Sequence, residues 1–143
     1  RRNGGLTGRW TLCSADVAPD WKPQRVVRDR RAKRDFHRAG AITGTCSACG
    51  ISSGLNIHHV YDRDDVEANF VFLCGSGTTG CHGEVTHENP ITRARLGAHI
   101  VTHRHAVVWH VVKKIGDVAA ADWFQRRLFA DITPILIGTT QGE

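Results

Sequence analysis

The chain has 143 residues, 41% of them apolar and 23% charged, with a formal net charge of +5. That balance specifies one compact domain with a modest core and excludes both a disordered chain and a multidomain enzyme. No run approaches the roughly 18 consecutive apolar residues of a membrane-spanning helix, and no signal-peptide pattern opens the chain, so a soluble protein of the cell interior with no membrane partner is expected. The absent initiator Met points to a trimmed chain or a fragment, and residues 1–8 carry no weight.

Charge is unevenly divided. Residues 1–45 hold 11 Lys and Arg against 4 Asp and Glu, whereas residues 46–143 hold 8 against 10. A basic N-terminal block suits a polyanion such as nucleic acid, because each phosphate neutralised releases condensed counterions. A solvated helix face is the alternative reading of such a run.

In chain order, Pro19 and Pro23 make residues 9–21 an extended arm or loop. Residues 24–39 read as a basic helix, with Val26, Val27 and Phe36 as core contacts and Gly40 as its stop. A Cys46/Cys49 turn follows, then a β-rich run at 55–61, an acidic turn at 62–67 and a second β-rich run at 69–74 that can pair with the first. Beyond the loop GSGTTG, residues 83–96 read as a helix broken or restarted at Pro90 and stopped by Gly97. The run AHIVTHRHAVVWHVV reads as a hairpin turning near His103–His105, and 119–130 as an amphipathic helix. Trp109, Trp123, Phe124, Leu128 and Phe129 are the expected C-terminal core, and 138–143 a loose tail.

Five cysteines, an odd number, argue against a disulfide framework in a reducing compartment. Cys46-x2-Cys49 forms a knuckle whose sulfurs converge, and Cys74-x6-Cys81, brought close by strand pairing, completes a tetrahedral thiolate site suited to a structural zinc. Such a zinc would staple a small ββα unit that buries too little apolar surface to stand alone. Four ordinary buried thiols are the alternative, and Cys13 is taken as structural.

Between the cysteine pairs lies His58-His59, Asn69 opens the second run, and His82 follows Cys81. The segments LNIHHV, NFVFLC and CHGEVTH, in that order, resemble the HNH endonucleases of the ββα-metal group, in particular small bacteriophage-type members with paired cysteines. The likeness covers about residues 46–87. It implies His58 and His82 as ligands of a catalytic divalent ion, His59 as general base, Asn69 as the amide orienting that base, and His87 as a further ligand or a surface His. It also implies phosphodiester hydrolysis leaving a 5′-phosphate. Imidazole ligands favour Mn2+, Co2+, Ni2+ or Zn2+, with Mg2+ admissible through waters. Adjacent strand residues point to opposite faces, so His58 and His59 share a site only if the strand ends or distorts there, and a distortion is expected.

Arg25, Arg28, Arg30, Arg31, Lys33, Arg34 and Arg38 then become a phosphate-binding flank, with little sequence preference because no base-reading helix is evident. Asp62, Asp64, Asp65 and Glu67 are read as a solvated turn, and His99, His103, His105 and His110 as a polar strand end.

The expected fold class is α+β: a ββα core at 46–97 stapled by zinc, an arm at 1–23, a basic helix at 24–39, and a C-terminal hairpin and helix at 98–143, all in one domain. The expected function is a metal-dependent DNA endonuclease acting on duplex in phage DNA processing or packaging, with packaging proteins as partners, in the cytoplasm of a bacterial host. A non-catalytic, zinc-stabilised nucleic-acid-binding module is the alternative. A redox reading of the CxxC lacks the βαβ context it needs.

Overall fold

The computed structural model describes residues 25–139, so the expectations for residues 1–23, including Cys13, and for the tail past 139 lie outside the described residues. The architecture is α+β. Among the described residues there are six α-helices and one two-stranded antiparallel sheet: α1 (Arg30–Thr43), β1 (Leu55–His59), β2 (Phe70–Cys74), α2 (Gly80–Thr86), α3 (Pro90–His103), α4 (His105–Ile115), α5 (Asp117–Leu128) and α6 (Thr133–Thr139). None of the helices is long and apolar enough to cross a membrane.

The hairpin forms as the two β-rich runs suggested, with Leu55 opposite Cys74 and His59 opposite Phe70 in an unbroken register. Phe70 and Phe72 share one face, where Phe36 of α1 stacks on Phe72 at 4.5 Å and packs on Phe70 at 5.3 Å between ring centres. Val71 and Leu73 share the other face and enter the main core with Leu96 and Ile100 of α3, Val107, Val108 and Val111 of α4, and Phe124 of α5. The core therefore continues from the hairpin through α3 across the expected boundary at 97/98.

Helix α1 begins later than the sequence suggested and runs past Gly40. Residues 25–29 are drawn out of the helix because their backbone amides bond to the carboxylates of Asp64 and Asp65, and Asp29 then caps the helix by accepting from Ala32 N at 3.0 Å. Val26 and Val27 are accordingly exposed rather than in the core. Gly40 lies inside α1 because the Phe72 ring occupies the space a Cβ would need. We expect Gly40→Ala to lower stability by about 1–3 kcal/mol through overpacking, read as a lower urea midpoint with an unchanged slope.

Pro90 restarts the chain, as expected: it opens α3 while Asn89 caps Ile91 N and Thr92 N. Gly97 does not stop α3. It sits at a close approach, where a Cβ would come within 2.8 Å of Ala130 Cβ and Leu128 O.

The expected hairpin at 98–112 is instead the junction of two helices. Its β-branched residues recur at helical spacing, so Val107, Val108 and Val111 form one buried stripe, and that packing overrides their strand propensity. The break falls at Arg104, whose guanidinium donates to the carbonyls of Glu67 and Phe70 at 3.1 and 2.9 Å and ties the junction to the start of β2. In α5, Ala120, Phe124 and Leu128 form the buried stripe. Trp109 and Trp123 are half-buried, and Phe129, expected in the core, is 65% exposed because it closes α5 in the left-handed region. Gly138, expected to begin a loose tail, belongs to α6.

Candidate functional site

The Cys46/Cys49 knuckle is held by local bonds: Cys46 N donates to Ile51 O at 2.8 Å, and Gly50, at φ 86°, makes the turn by donating to Cys46 O at 2.9 Å. Ser47 N donates to Phe72 O at 2.8 Å and ties the knuckle to β2. Cys74 ends β2 and Cys81 opens α2, and the loop between them folds back so that Ser76 N meets Thr79 O at 3.0 Å. As a result the sulfurs of Cys46, Cys49, Cys74 and Cys81 all lie within 4.8 Å of one another, a spacing that can hold a metal ion.

The electrostatics of this cluster favour a cation. Burial opposes ionisation of Cys46, but backbone donors led by the Cys49 amide outweigh it and bring the thiol down to about 7. Burial and then the neighbouring sulfurs push Cys81 well above the ordinary thiol range. Four thiolates at this spacing repel one another, and a bound divalent ion removes both the repulsion and the desolvation cost.

The second group gathers at the end of β1. His58 stands opposite Val71, and its ring lies edge-on to His82 of α2 with 5.2 Å between ring centres. Burial, followed by the charges of His82, His59 and Arg93, pushes His58 down to about 4, and burial also lowers His82. Both imidazoles are therefore neutral at physiological pH, with lone pairs available. His82 Nδ1 is buried without a hydrogen-bond partner. Two imidazoles on one tetrahedral ion, each nitrogen about 2.1 Å from it, have ring centres roughly 5 Å apart. The pair and its orphaned nitrogen fit a divalent cation.

The strand is not distorted at this point. It ends at His59, the chain bends over residues 60–63, and both histidines line one cleft of about 470 Å³, together with His82, Arg63, Arg93 and Arg127. His59 packs edge-on against Phe70, and its Nε2 lies 2.8 Å from Asp65 Oδ1. Asp65 is thus the partner of the His59 imidazole. Asn69, expected in that role, is fully buried and works on the backbone instead: its Oδ1 accepts from Tyr61 N at 3.0 Å, and its Nδ2 donates to Asp62 O, Asp62 Oδ1 and Asp64 O. It folds the loop that presents Asp65.

That loop is not the solvated turn its composition suggested. Asp64 is 4% exposed and Asp65 3%. The bond to Lys114 at 2.6 Å, with the Val27 amide behind it, holds Asp64 below the usual carboxylate range. Burial works against Asp65, but His59, the Asp29 amide and Lys33 outweigh it and lower it as well. Asp62, Asp64 and His110 converge, yet Lys114 Nζ lies 2.6 Å from Asp64 and 3.4 Å from Asp62 and supplies the positive charge there.

Other expected site residues are dispersed. His87 caps the end of α2, exposed and outside the cleft. The tilted rings of His99 and His103 meet one helical turn apart on α3, His105 points to Val101 O, and His110 meets Asp62 at 3.2 Å, so these residues form no strand end. Arg25 and Arg28 lie on the extended segment before α1; Arg30, Arg34 and Arg38 run down one exposed stripe of α1 beside Arg31, while Lys33 turns inward to within 3.9 Å of Asp65. No family, curated protein or solved structure matches the chain.

Proposed function

We propose that the protein is a metal-dependent endonuclease of the HNH type that hydrolyses DNA phosphodiester bonds with little sequence preference. The observation that carries this reading is the placement of a neutral His58–His82 pair and a carboxylate-held His59 on one cationic cleft. A second reading of the residues, binding without cleavage, leaves this arrangement without a purpose.

His58 and His82 would hold a divalent ion, which supplies Lewis-acid stabilisation of charge on the phosphate oxygens when bound. Asp65 accepts a hydrogen bond from the His59 Nε2–H and fixes that tautomer, leaving the Nδ1 lone pair to take a proton from water. The water oxygen attacks phosphorus as the 3′ oxygen departs, giving a 5′-phosphate. The four cysteines hold a structural zinc that keeps β1 and α2 in register, and with them His58 and His82.

Plasmid cleavage tests this with Mn2+, Ni2+, Mg2+ and Zn2+ supplied separately. Wild type is expected to convert supercoiled plasmid, and His59→Ala to keep its cysteine-bound zinc while losing about 10²–10⁴-fold in rate. Retention of DNA by both proteins with no cutting under any metal overturns the nuclease in favour of a binding module. Equal cutting by both overturns the assignment of the base.

A further inference from the structure

The cleft has a charge imbalance that the metal and base do not use. Arg93 in the first turn of α3 is half-buried and lines the cleft, and its Nε donates to Val85 O at 3.1 Å, which anchors the guanidinium and leaves its terminal nitrogens without a hydrogen bond among the described residues. Arg127 in the last turn of α5 is exposed, and neither residue has an ion-pair partner among the described residues, although Glu88 is near enough for Arg93 to feel its charge. Burial, with the Arg127 charge behind it, lowers Arg93. Asp62, the one acidic lining residue among the described residues, is already engaged by Lys114 and His110. Two guanidiniums that line one cleft and feel each other's charge make it electropositive, a cost that a bound anion relieves, and guanidiniums match the oxygens of a phosphate.

The His58–His82 side of this surface faces away from the basic helix, whereas His59, opposite Phe70, lies on the helix's side of the sheet. Phe36 seats α1 on the Phe70/Phe72 face of the hairpin, whereas His58 stands opposite Val71 on the other face. We propose that Arg93 and Arg127 form a phosphodiester-binding site that seats the nucleic-acid backbone in the His58–His82 cleft, independently of the arginines on α1. The proposal rests on the endonuclease reading for its choice of ligand.

Arg127 is the clean test position, since its side chain makes no hydrogen bond or ion pair among the described residues. Binding of a fluorescent 20-base-pair duplex would be followed by anisotropy over a range of NaCl concentrations, without added divalent ions, for wild type, Arg127→Ala and Arg127→Glu. Arg127→Ala is expected to weaken binding roughly 3–10-fold and to make the slope of log K against log salt shallower by about 1, with Arg127→Glu weaker still. Wild-type affinity and slope in both variants overturn the site, as does a wild type that does not bind. Inorganic phosphate, compared with chloride at equal ionic strength, separates the sources: Arg127-dependent phosphate binding with no Arg127 effect on the duplex means that the site takes free phosphate and overturns the backbone assignment. Plasmid cleavage by wild type is read separately. An Arg127-dependent duplex affinity without cleavage keeps this site and removes the nuclease.

Discussion

Asp65→Asn is expected to lower plasmid cleavage by about 10²–10⁴-fold while DNA affinity and zinc content stay at wild-type levels. The amide is nearly isosteric, so the bond from the Asp29 amide at 2.9 Å can survive on the carbonyl oxygen, and the loop folded by Asn69 keeps its other bonds. What changes is the partner of His59 Nε2. A carboxylate only accepts, and so it keeps the proton on Nε2 and the Nδ1 lone pair free; an amide can turn its NH2 toward the ring and select the opposite tautomer, and it no longer stabilises the imidazolium formed when the base takes a proton. Asp65 is thus a positioning residue, and its variant should show its defect in kcat rather than KM, with a displaced pH–rate profile. A KM defect with normal kcat, or a fall in activity that only follows a fall in melting temperature, would assign Asp65 to substrate binding or to stability instead.

Asp65 also shows why part of the site was illegible in the sequence. An acidic run is ordinarily solvated, and nothing in DRDD says that residues 25–29 lie across it and bury Asp64 and Asp65 through their backbone amides. Those bonds span 36 and 37 residues, and no local pattern encodes them. The neighbouring histidines were legible because their signals are local: two β-rich runs marked the strands that pair as β1 and β2, and the CxxC spacing marked the knuckle. The hairpin expected at 98–112 failed for a related reason. Val-rich stretches favour strands by propensity, and the position of Val107, Val108 and Val111 on one helical stripe matters only once α3 and α5 are there to cover it. Phe129 was misplaced because a sequence pattern does not mark the residue at which a helix turns into the left-handed region.

Removing the metal that we assign to the four cysteines is expected to lower the melting temperature by about 10 °C or more and to abolish cleavage. Structural zinc contributes about 10–16 kcal/mol of apparent binding energy in small zinc-finger peptides, comparable with or larger than the roughly 5–15 kcal/mol net stability of a whole domain. Here the loss would fall on the hairpin. Cys46 and Cys74 are buried members of the main core, Ser47 N ties the knuckle to Phe72 O, and Cys81 N donates to Cys74 Sγ at 3.4 Å, so the four sulfurs join the end of α1, β2 and α2. Without a cation the thiols must reprotonate, and burial together with the neighbouring sulfurs already places Cys81 high. Because protons compete with the metal for the sulfurs, release should become easier as pH falls. Cys74→Ser and treatment with a strong chelator should agree: one zinc lost per chain, a lower and broader thermal transition, and a His58–His82 pair no longer held at a fixed spacing. A protein that carries no zinc as isolated, or that melts at the same temperature after Cys74→Ser, would leave four unliganded thiols and remove the staple.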